Sequence, residues 1–100
     1  MNKTKWKETE HCLQGGRIKS RTVVFGDGSV QSERRIQPGT YSLGTEQAEL
    51  MRIYTGEMMV QLAETGERRR LKSGDTLRIP RESTYTLEVI SPADYWSSYL

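Results

Sequence analysis

The chain is 100 residues long and carries 15 Lys and Arg against 13 Asp and Glu, for a formal net charge of +2 at pH 7. This length predicts one domain, and the nearly balanced charge disfavours a nucleic-acid partner, because such partners usually need a clustered basic face. No apolar run approaches the length of a membrane span, and the single cysteine, Cys12, excludes an intramolecular disulfide and fits a reducing compartment, so we expect a cytoplasmic protein without membrane contact.

The first part of the chain differs in pattern from the rest. Residues 1–14 alternate charged and polar side chains with little apolar periodicity. This pattern predicts a polar N-terminal arm that is mobile or loosely docked. A single domain is expected to cover residues 15–100.

Short segments rich in β-branched and aromatic residues follow, separated by Gly, Pro and Ser turns. No sustained 3.6-residue apolar stripe is present; the one helical turn expected lies near Glu46–Glu49, and Ser91-Pro92 is expected to break a strand. About nine short strands are typical of an all-β barrel or sandwich. The predicted strands are Ile18–Phe25, Val30–Ile36, Thr40–Leu43, Leu50–Tyr54, Met58–Ala63, Arg69–Lys72, Thr76–Ile79, Ser83–Ile90 and Tyr95–Leu100.

Two spacings in the middle of the chain resemble the motifs of a cupin. Glu49 is followed by six residues and then Gly56, which resembles the end of the first cupin motif. Gly74 is followed by five residues and then Pro80, which resembles the opening of the second. The resemblance implies a single-domain cupin (RmlC-like) β-barrel or jelly roll.

More narrowly, the chain from about Gly15 to Leu100 resembles the small bacterial pyrimidine/purine nucleoside phosphorylase family. That resemblance implies a pentosyltransferase that uses phosphate to split purine and pyrimidine nucleosides into free base and ribose 1-phosphate. A homodimer is expected by analogy with small cupins. The stretches that carry the resemblance are Gly16–Ser20, Arg21–Phe25, Asp27–Ser29, Gly39–Thr45, Glu49–Met51, Gly56, Ile79-Pro80 and Asp94-Tyr95.

The residues that a metal-dependent cupin would use are replaced in this sequence. A cupin iron or manganese site needs three imidazoles and a carboxylate. Ser42–Thr45 precede Glu49 without a histidine, Tyr85 stands at the second-motif histidine position, and His11, the one histidine, lies in the predicted arm. We therefore expect no catalytic metal and no cofactor, with phosphate as a co-substrate.

Glu49 is the candidate catalytic residue. Strand alternation places Glu49, Met51 and Ile53 on one face, and Met51 and Ile53 are expected in the core. A carboxylate at the mouth of such a face is a candidate for function. The structural alternative, a strand-end glutamate held by turn amides or an arginine, carries equal weight.

The candidate substrate-binding residues are chosen by what phosphorolysis requires. An anion needs a cation, a developing oxocarbenium ion needs a carboxylate or hydroxyl contacts, and a base can stack on an aromatic ring. Alternation places Ser32 and Arg34 on the face of Ile36, which is expected to point inward. For each of these residues, core packing or a solvated edge is the alternative. The set is Ser32, Arg34, Tyr41, Met51, Tyr85 and Tyr95.

Two further interpretations stay open. The chain departs from the family pattern at Arg34, at Arg81-Glu82 after the proline, and at Ser98 near the C-terminus. These departures favour a cupin that binds a small polar ligand without turning it over. A purely structural dimer with no ligand is the third alternative.

Overall fold

The computed structural model describes residues 5–100, with side chains from residue 8 onward, and every long element in it is a β-strand. In this part of the chain no α-helix occurs, and the one helical element is a short 3-10 turn, Gln14–Gly16. The predicted all-β class is therefore confirmed. The strands are β1 (Lys5–Leu13), β2 (Ile18–Phe25), β3 (Val30–Ile36), β4 (Gly39–Thr45), β5 (Glu49–Leu62), β6 (Arg68–Lys72), β7 (Thr76–Ile79) and β8 (Ser83–Tyr99).

Residues 5–13, assigned to a polar arm from the sequence, form an ordinary sheet strand. β1 pairs antiparallel with β2 from Lys5 opposite Phe25 to Leu13 opposite Ile18. Its residues from Glu8 to Leu13 are exposed, so the absence of apolar periodicity reflects an edge strand rather than a loose segment. Met1–Thr4 lie outside the described residues, and the division of the chain at residue 15 stays a prediction.

Two long strands, β5 and β8, hold the fold together. They pair with one another from Glu49 opposite Tyr99 to Leu62 opposite Tyr85, with register shifts near the middle. The sequence predicted that strands end near Gly56 and at Ser91-Pro92. Both predictions are wrong, because β5 bends at Gly56 and continues, and β8 bends at Ser91-Pro92 and continues. The helical turn predicted at Glu46–Glu49 is also wrong, since Glu49 already begins β5.

The bend in β5 depends on Gly56. Its φ is +87°, and a Cβ at this position would lie 2.6 Å from the Cα of Ala93 and against the carbonyl oxygen of Pro92. Only a residue without a side chain fits this approach. The close crossing lets each long strand run from one half of the molecule into the other.

The bend divides the sheet into two facing halves. In one half the order is β1-β2-β3-β8-β5-β7, and in the other it is β4-β8-β5-β6, with β5 and β8 shared. Apolar side chains from both halves meet in one core that includes Ile18, Ile36, Ile53, Val60 and Leu87. Side chains along each strand alternate between the two faces of the sheet, so that one set packs in this core and the other faces solvent.

Candidate active site

The inner face of β3 carries charged and polar side chains into the space between the two halves. Ser32 is 2 % exposed and Ile36 is fully buried, so this face points inward as alternation predicts. Arg34 lies between them and donates long hydrogen bonds from Nε to the Ser20 hydroxyl (3.4 Å) and from Nη1 to the Tyr95 hydroxyl (3.4 Å). A half-buried guanidinium therefore lies beside the apolar core.

The guanidinium of Arg34 remains protonated at any ordinary pH. Burial alone lowers the pKa of Arg34, but the hydroxyls of Tyr95, Tyr85 and Tyr99 raise it by more, so the net shift is upward. No carboxylate forms an ion pair with Arg34 in the described part of the chain. Arg34 is thus a permanent cation with donor capacity to spare.

Glu49 faces the same interior. It is 2 % exposed and lies on the face of β5 that also carries the buried Met51 and Ile53, as predicted. Its Oε1 atom is buried and has no hydrogen-bond partner among the described residues. The alternative, a glutamate fully held by turn amides or an arginine, does not account for this oxygen.

Tyr85 and Tyr95 bring two hydroxyls to the cluster from the two parts of β8. Each side chain is 1 % exposed. Burial raises the pKa of Tyr85 first, and Tyr95 and Glu49 raise it further, while Arg34 opposes the shift. Burial likewise raises the pKa of Tyr95, and Arg34 lowers it in part. Both phenols therefore remain protonated at neutral pH and can donate hydrogen bonds.

Ser97 and Tyr99 on β8 complete the cluster, and neither these two residues nor Ser20 on β2 was predicted from the sequence. The hydroxyls of Tyr99 and Ser32 share a hydrogen bond of 2.8 Å. Ser97 is fully buried, opposite Ser32 on one side and Met51 on the other. Extending the alternation of Tyr95 along β8 would have placed both on the inner face.

Three buried polar atoms in this interior lack a partner among the residues described: Glu49 Oε1, the Tyr85 hydroxyl and the Ser97 hydroxyl. Leaving such an atom unsatisfied costs about 1–3 kcal/mol. The three atoms lie in the same interior as the half-buried guanidinium of Arg34. We call this group the inner polar cluster; its members are Ser20, Ser32, Arg34, Glu49, Tyr85, Tyr95, Ser97 and Tyr99. Its unpaired donors and acceptors suit a ligand rich in hydroxyl and anionic oxygens.

Tyr41 and Met51, the other predicted substrate-binding residues, lie differently. The Tyr41 hydroxyl donates to the carbonyl oxygen of Gln37 (2.7 Å), and the guanidinium of Arg17 lies over its ring at 5.6 Å. Those contacts occupy its hydroxyl and one face of its ring. Met51 is fully buried in the core beside the cluster. Contact of either residue with a substrate stays a prediction.

Two surface concavities flank the inner polar cluster. A groove of about 570 Å³ crosses β1, β2, β3 and β8, and its lining includes Ser20, Arg34 and Tyr95 of the cluster. Other lining residues, Arg21, Glu33 and Trp96, are placed by alternation on the opposite face of the sheet. A smaller one of about 230 Å³ lies where β5 begins, lined by Glu46–Ala48, Arg81 and Leu100. The second concavity adjoins Glu49 along the chain, although Glu49 itself is not among its lining residues.

Neither a metal site nor a membrane helix is found in residues 5–100. No three His, Cys, Asp or Glu side chains within the described region come together to hold a metal ion. No helix there has the length and apolar character needed to cross a bilayer.

The two facing β-halves and the polar interior define a small cupin-like protein. The iron(II) form of HppE superposes with a TM-score of 0.77 at 9% identity, covering 94% of this chain and 56% of that one. The Clostridium difficile EutQ protein superposes with a TM-score of 0.68 at 14% identity, covering 82% and 67%. At these identities the likeness establishes the fold alone, and it confirms the predicted cupin architecture.

Sequence comparison then gives the family. A family model described as Pyrimidine/purine nucleoside phosphorylase matches residues 8–99. The pyrimidine/purine nucleoside phosphorylase of Trichlorobacter lovleyi is 43% identical over 85% of this chain and 82% of that protein. The Wolinella succinogenes protein of the same name is 38% identical over 84% and 80%. This chain belongs to the pyrimidine/purine nucleoside phosphorylase family, as the resemblance indicated.

One solved structure is similar over nearly the whole chain. A protein of unknown function from Acinetobacter sp. ADP1 superposes with a TM-score of 0.87 at 27% identity, covering 97% of this chain and 93% of that one. The strand arrangement described above therefore recurs over nearly the whole length of that protein.

Proposed function

We propose that this chain is a nucleoside phosphorylase that cleaves purine and pyrimidine nucleosides with inorganic phosphate. The products are the free base and ribose 1-phosphate. Membership in the family supports the reaction, and one structural observation supports its location. That observation is Arg34, a half-buried cation that contacts the Ser20 and Tyr95 hydroxyls and has no carboxylate partner within the described residues.

Phosphorolysis is a displacement at the anomeric carbon of the sugar. A phosphate oxygen forms a bond to this carbon while the bond to the base nitrogen breaks, and the base leaves with the electron pair and takes up a proton. The Arg34 guanidinium supplies the charge and the hydrogen-bond donors that hold the phosphate dianion in place. Its attraction for phosphate is stronger beside the apolar core than it would be in water.

The proposed role of Glu49 is to stabilise the sugar in the transition state. The transition state carries positive charge on the ring oxygen and anomeric carbon. A carboxylate facing this charge, or accepting hydrogen bonds from the sugar hydroxyls, stabilises it selectively. The Oε1 atom of Glu49 supports this role, because it has no partner among the described residues to lose on binding.

The remaining polar groups orient the substrate. Tyr85 and Tyr95 are neutral donors at working pH, and their hydroxyls can contact phosphate or the leaving base. Ser32 is held by Tyr99 and shapes the wall of the site. No metal or organic cofactor is included in the proposal, since a cation, one carboxylate and neutral donors supply what the displacement requires.

A second candidate function is binding without turnover. The departures from the family pattern at Arg81-Glu82 favour it, because both side chains are exposed and Arg81 Nη2 donates to Glu82 Oε1 (3.3 Å) beside the concavity that adjoins Glu49. The neighbouring carboxylate of Glu82 repels phosphate and competes with it for Arg81. The two functions differ in whether base is released.

The test is an incubation of purified protein with uridine or adenosine, with and without phosphate, followed by chromatography of base and sugar phosphate. Phosphate-dependent release of base in stoichiometric amounts with ribose 1-phosphate is expected, and a chelator should leave the rate unchanged. Nucleoside-induced thermal stabilisation without base release would favour the binding function. Neither stabilisation nor release, across several nucleosides, would remove both.

The proposal also includes a cytoplasmic homodimer that uses small-molecule substrates rather than nucleic acid. An unshared edge at β1 and exposed apolar side chains at Leu13, Leu50 and Tyr54 support self-association. The exposed free thiol of Cys12 suits a reducing compartment. Light scattering at several concentrations should give the dimer mass, and a monomer throughout would contradict it.

A further inference from the structure

Ser20, Arg34 and Tyr95 occupy one row of the inner polar cluster, on three adjacent strands. Ser20 lies opposite Arg34 where β2 pairs with β3, and Arg34 lies opposite Tyr95 where β3 pairs with β8. All three residues contribute to the lining of the groove of about 570 Å³. This row is therefore the part of the cluster that borders a surface concavity.

The Arg34 guanidinium is held at two of its three nitrogens. Nε donates to the Ser20 hydroxyl and Nη1 donates to the Tyr95 hydroxyl, each at 3.4 Å. Nη2 donates to no residue in the described part of the chain. Because a guanidinium is planar and rigid, fixing Nε and Nη1 also fixes the direction in which the N–H groups of Nη2 point.

Of the two residues that hold Arg34, Ser20 is the one whose side chain has no other described role. Tyr95 is a large core side chain, so its removal would also open a cavity. Ser20 is small and 6 % exposed, and the one side-chain hydrogen bond of its hydroxyl within residues 8–100 is with Arg34. An alanine would fill nearly the same space, so the hydroxyl adds the orientation of the guanidinium.

A cation that is oriented in advance binds an anion more tightly than a mobile one. A long arginine side chain that moves freely must lose this freedom when it binds phosphate, and the loss weakens binding. A hydrogen bond that is present before binding removes part of that cost.

We propose that Ser20 is a positioning residue, which orients the Arg34 guanidinium towards inorganic phosphate without touching the phosphate itself. The inference rests on the proposed function, and it adds the residue that prepares the phosphate-binding cation.

The experiment measures the Kd of inorganic phosphate by isothermal titration calorimetry at constant ionic strength, for wild type, Ser20→Ala and Ser20→Thr. Ser20→Ala should raise this Kd about five- to tenfold, because it removes a hydrogen bond to a charged group and frees the guanidinium. Ser20→Thr keeps the hydroxyl and should return the Kd to within about threefold of wild type. In steady-state kinetics, Ser20→Ala should raise KM for phosphate while changing KM for uridine by less than about twofold.

Ser83→Ala is the matched control for the loss of a buried serine hydroxyl. Ser83 is 7 % exposed, and its hydroxyl donates to the carbonyl oxygen of Pro80, outside the inner polar cluster. This variant should have a lower melting temperature and an unchanged Kd for phosphate. A second control places Ser20→Ala in an Arg34→Lys background, which keeps the charge but has no Nε to hold. There the effect of Ser20→Ala on Kd should shrink to less than about twofold.

Four results would overturn the role of Ser20: a Kd for Ser20→Ala within about twofold of wild type, an equal loss of phosphate affinity in Ser83→Ala, an undiminished effect in the Arg34→Lys background, or no phosphate binding by wild type. An equal rise of both KM values in Ser20→Ala would overturn it as well. Wild type that binds phosphate but releases no base contradicts the proposed function instead, and the Kd values then still decide the role of Ser20.

Discussion

Arg34 and Arg35 are consecutive residues of β3 in opposite environments. Arg34 points inward and contacts the hydroxyls of Ser20 and Tyr95. Arg35 points outward and donates from Nε and Nη2 to the two carboxylate oxygens of Asp94, at 2.8 and 3.0 Å. The one-residue offset gives a cation free for a ligand and a cation committed to a surface ion pair.

Substitutions of Arg34 and Arg35 should differ sharply in their effect on activity. Arg34→Gln should lower kcat/KM for phosphorolysis by about 100-fold or more, because it removes the charge that holds phosphate. Arg35→Gln should change it by no more than about twofold, since a surface pair contributes little. Steady-state kinetics at varied phosphate, with circular dichroism to confirm folding, measure both. Equal losses in the two variants would contradict the assignment of Arg34.

Glu49→Gln tests the proposed catalytic carboxylate while keeping its size. We expect kcat to fall about 100-fold and the melting temperature to change little, because Oε1 has no partner in the described chain to lose. Glu46→Gln, at an exposed residue lining the concavity beside Glu49, is the matched control. A large loss of stability with intact activity would instead make Glu49 a structural residue.

The alternating pattern of β3 shows what the sequence could predict. Ser32, Arg34 and Ile36 share the inner face because a strand reverses its side chains at every residue, and this rule does not depend on partners. The same rule placed Glu49 with Met51 and Ile53. The composition of the inner polar cluster therefore followed largely from local periodicity.

The continuity of β5 and β8 could not be predicted from the sequence. Gly56 and Pro92 are strong turn signals, yet both lie where the pairing register shifts, a position that tolerates a residue without a side chain or without an N–H. Tertiary pairing decides between a turn and a bulge. Ser97 escaped prediction for a related reason, since a serine carries no hydropathic signal and its lack of a partner exists only in the folded chain.

The two buried tyrosines predict an instability in alkali. The pKa values of Tyr85 and Tyr95 are raised in the folded protein, chiefly by burial, above the unfolded value of about 10. The folded state then holds more protons than the unfolded state above pH of about 10, so the free energy of unfolding is constant below that pH and falls above it. Each tyrosine contributes a slope of up to about 1.4 kcal/mol per pH unit.

Urea unfolding at a series of alkaline pH values measures this slope. Tyr85→Phe and Tyr95→Phe should each make it shallower, while Tyr54→Phe, at a residue 48 % exposed, should leave it unchanged. Phenolate absorbance should rise in two stages, with the buried residues ionising as the protein unfolds. Free ionisation of all tyrosines in the folded state would contradict the burial of the inner polar cluster.

Gly28 and Gly56 have the same backbone φ, +87°, but different surroundings. Comparing alanine substitutions at the two positions therefore distinguishes the cost of the backbone conformation from the cost of a steric clash. Alanine at either site pays for the left-handed backbone conformation, about 1 kcal/mol. At Gly28 nothing lies within 4 Å of the new Cβ, whereas at Gly56 it would collide with Pro92 and Ala93. Gly56→Ala should therefore lower the free energy of unfolding by more than about 3 kcal/mol, and Gly28→Ala by about 1 kcal/mol. Urea denaturation gives both values, and similar losses at the two positions would mean that the crossing of β5 and β8 is not what requires a glycine.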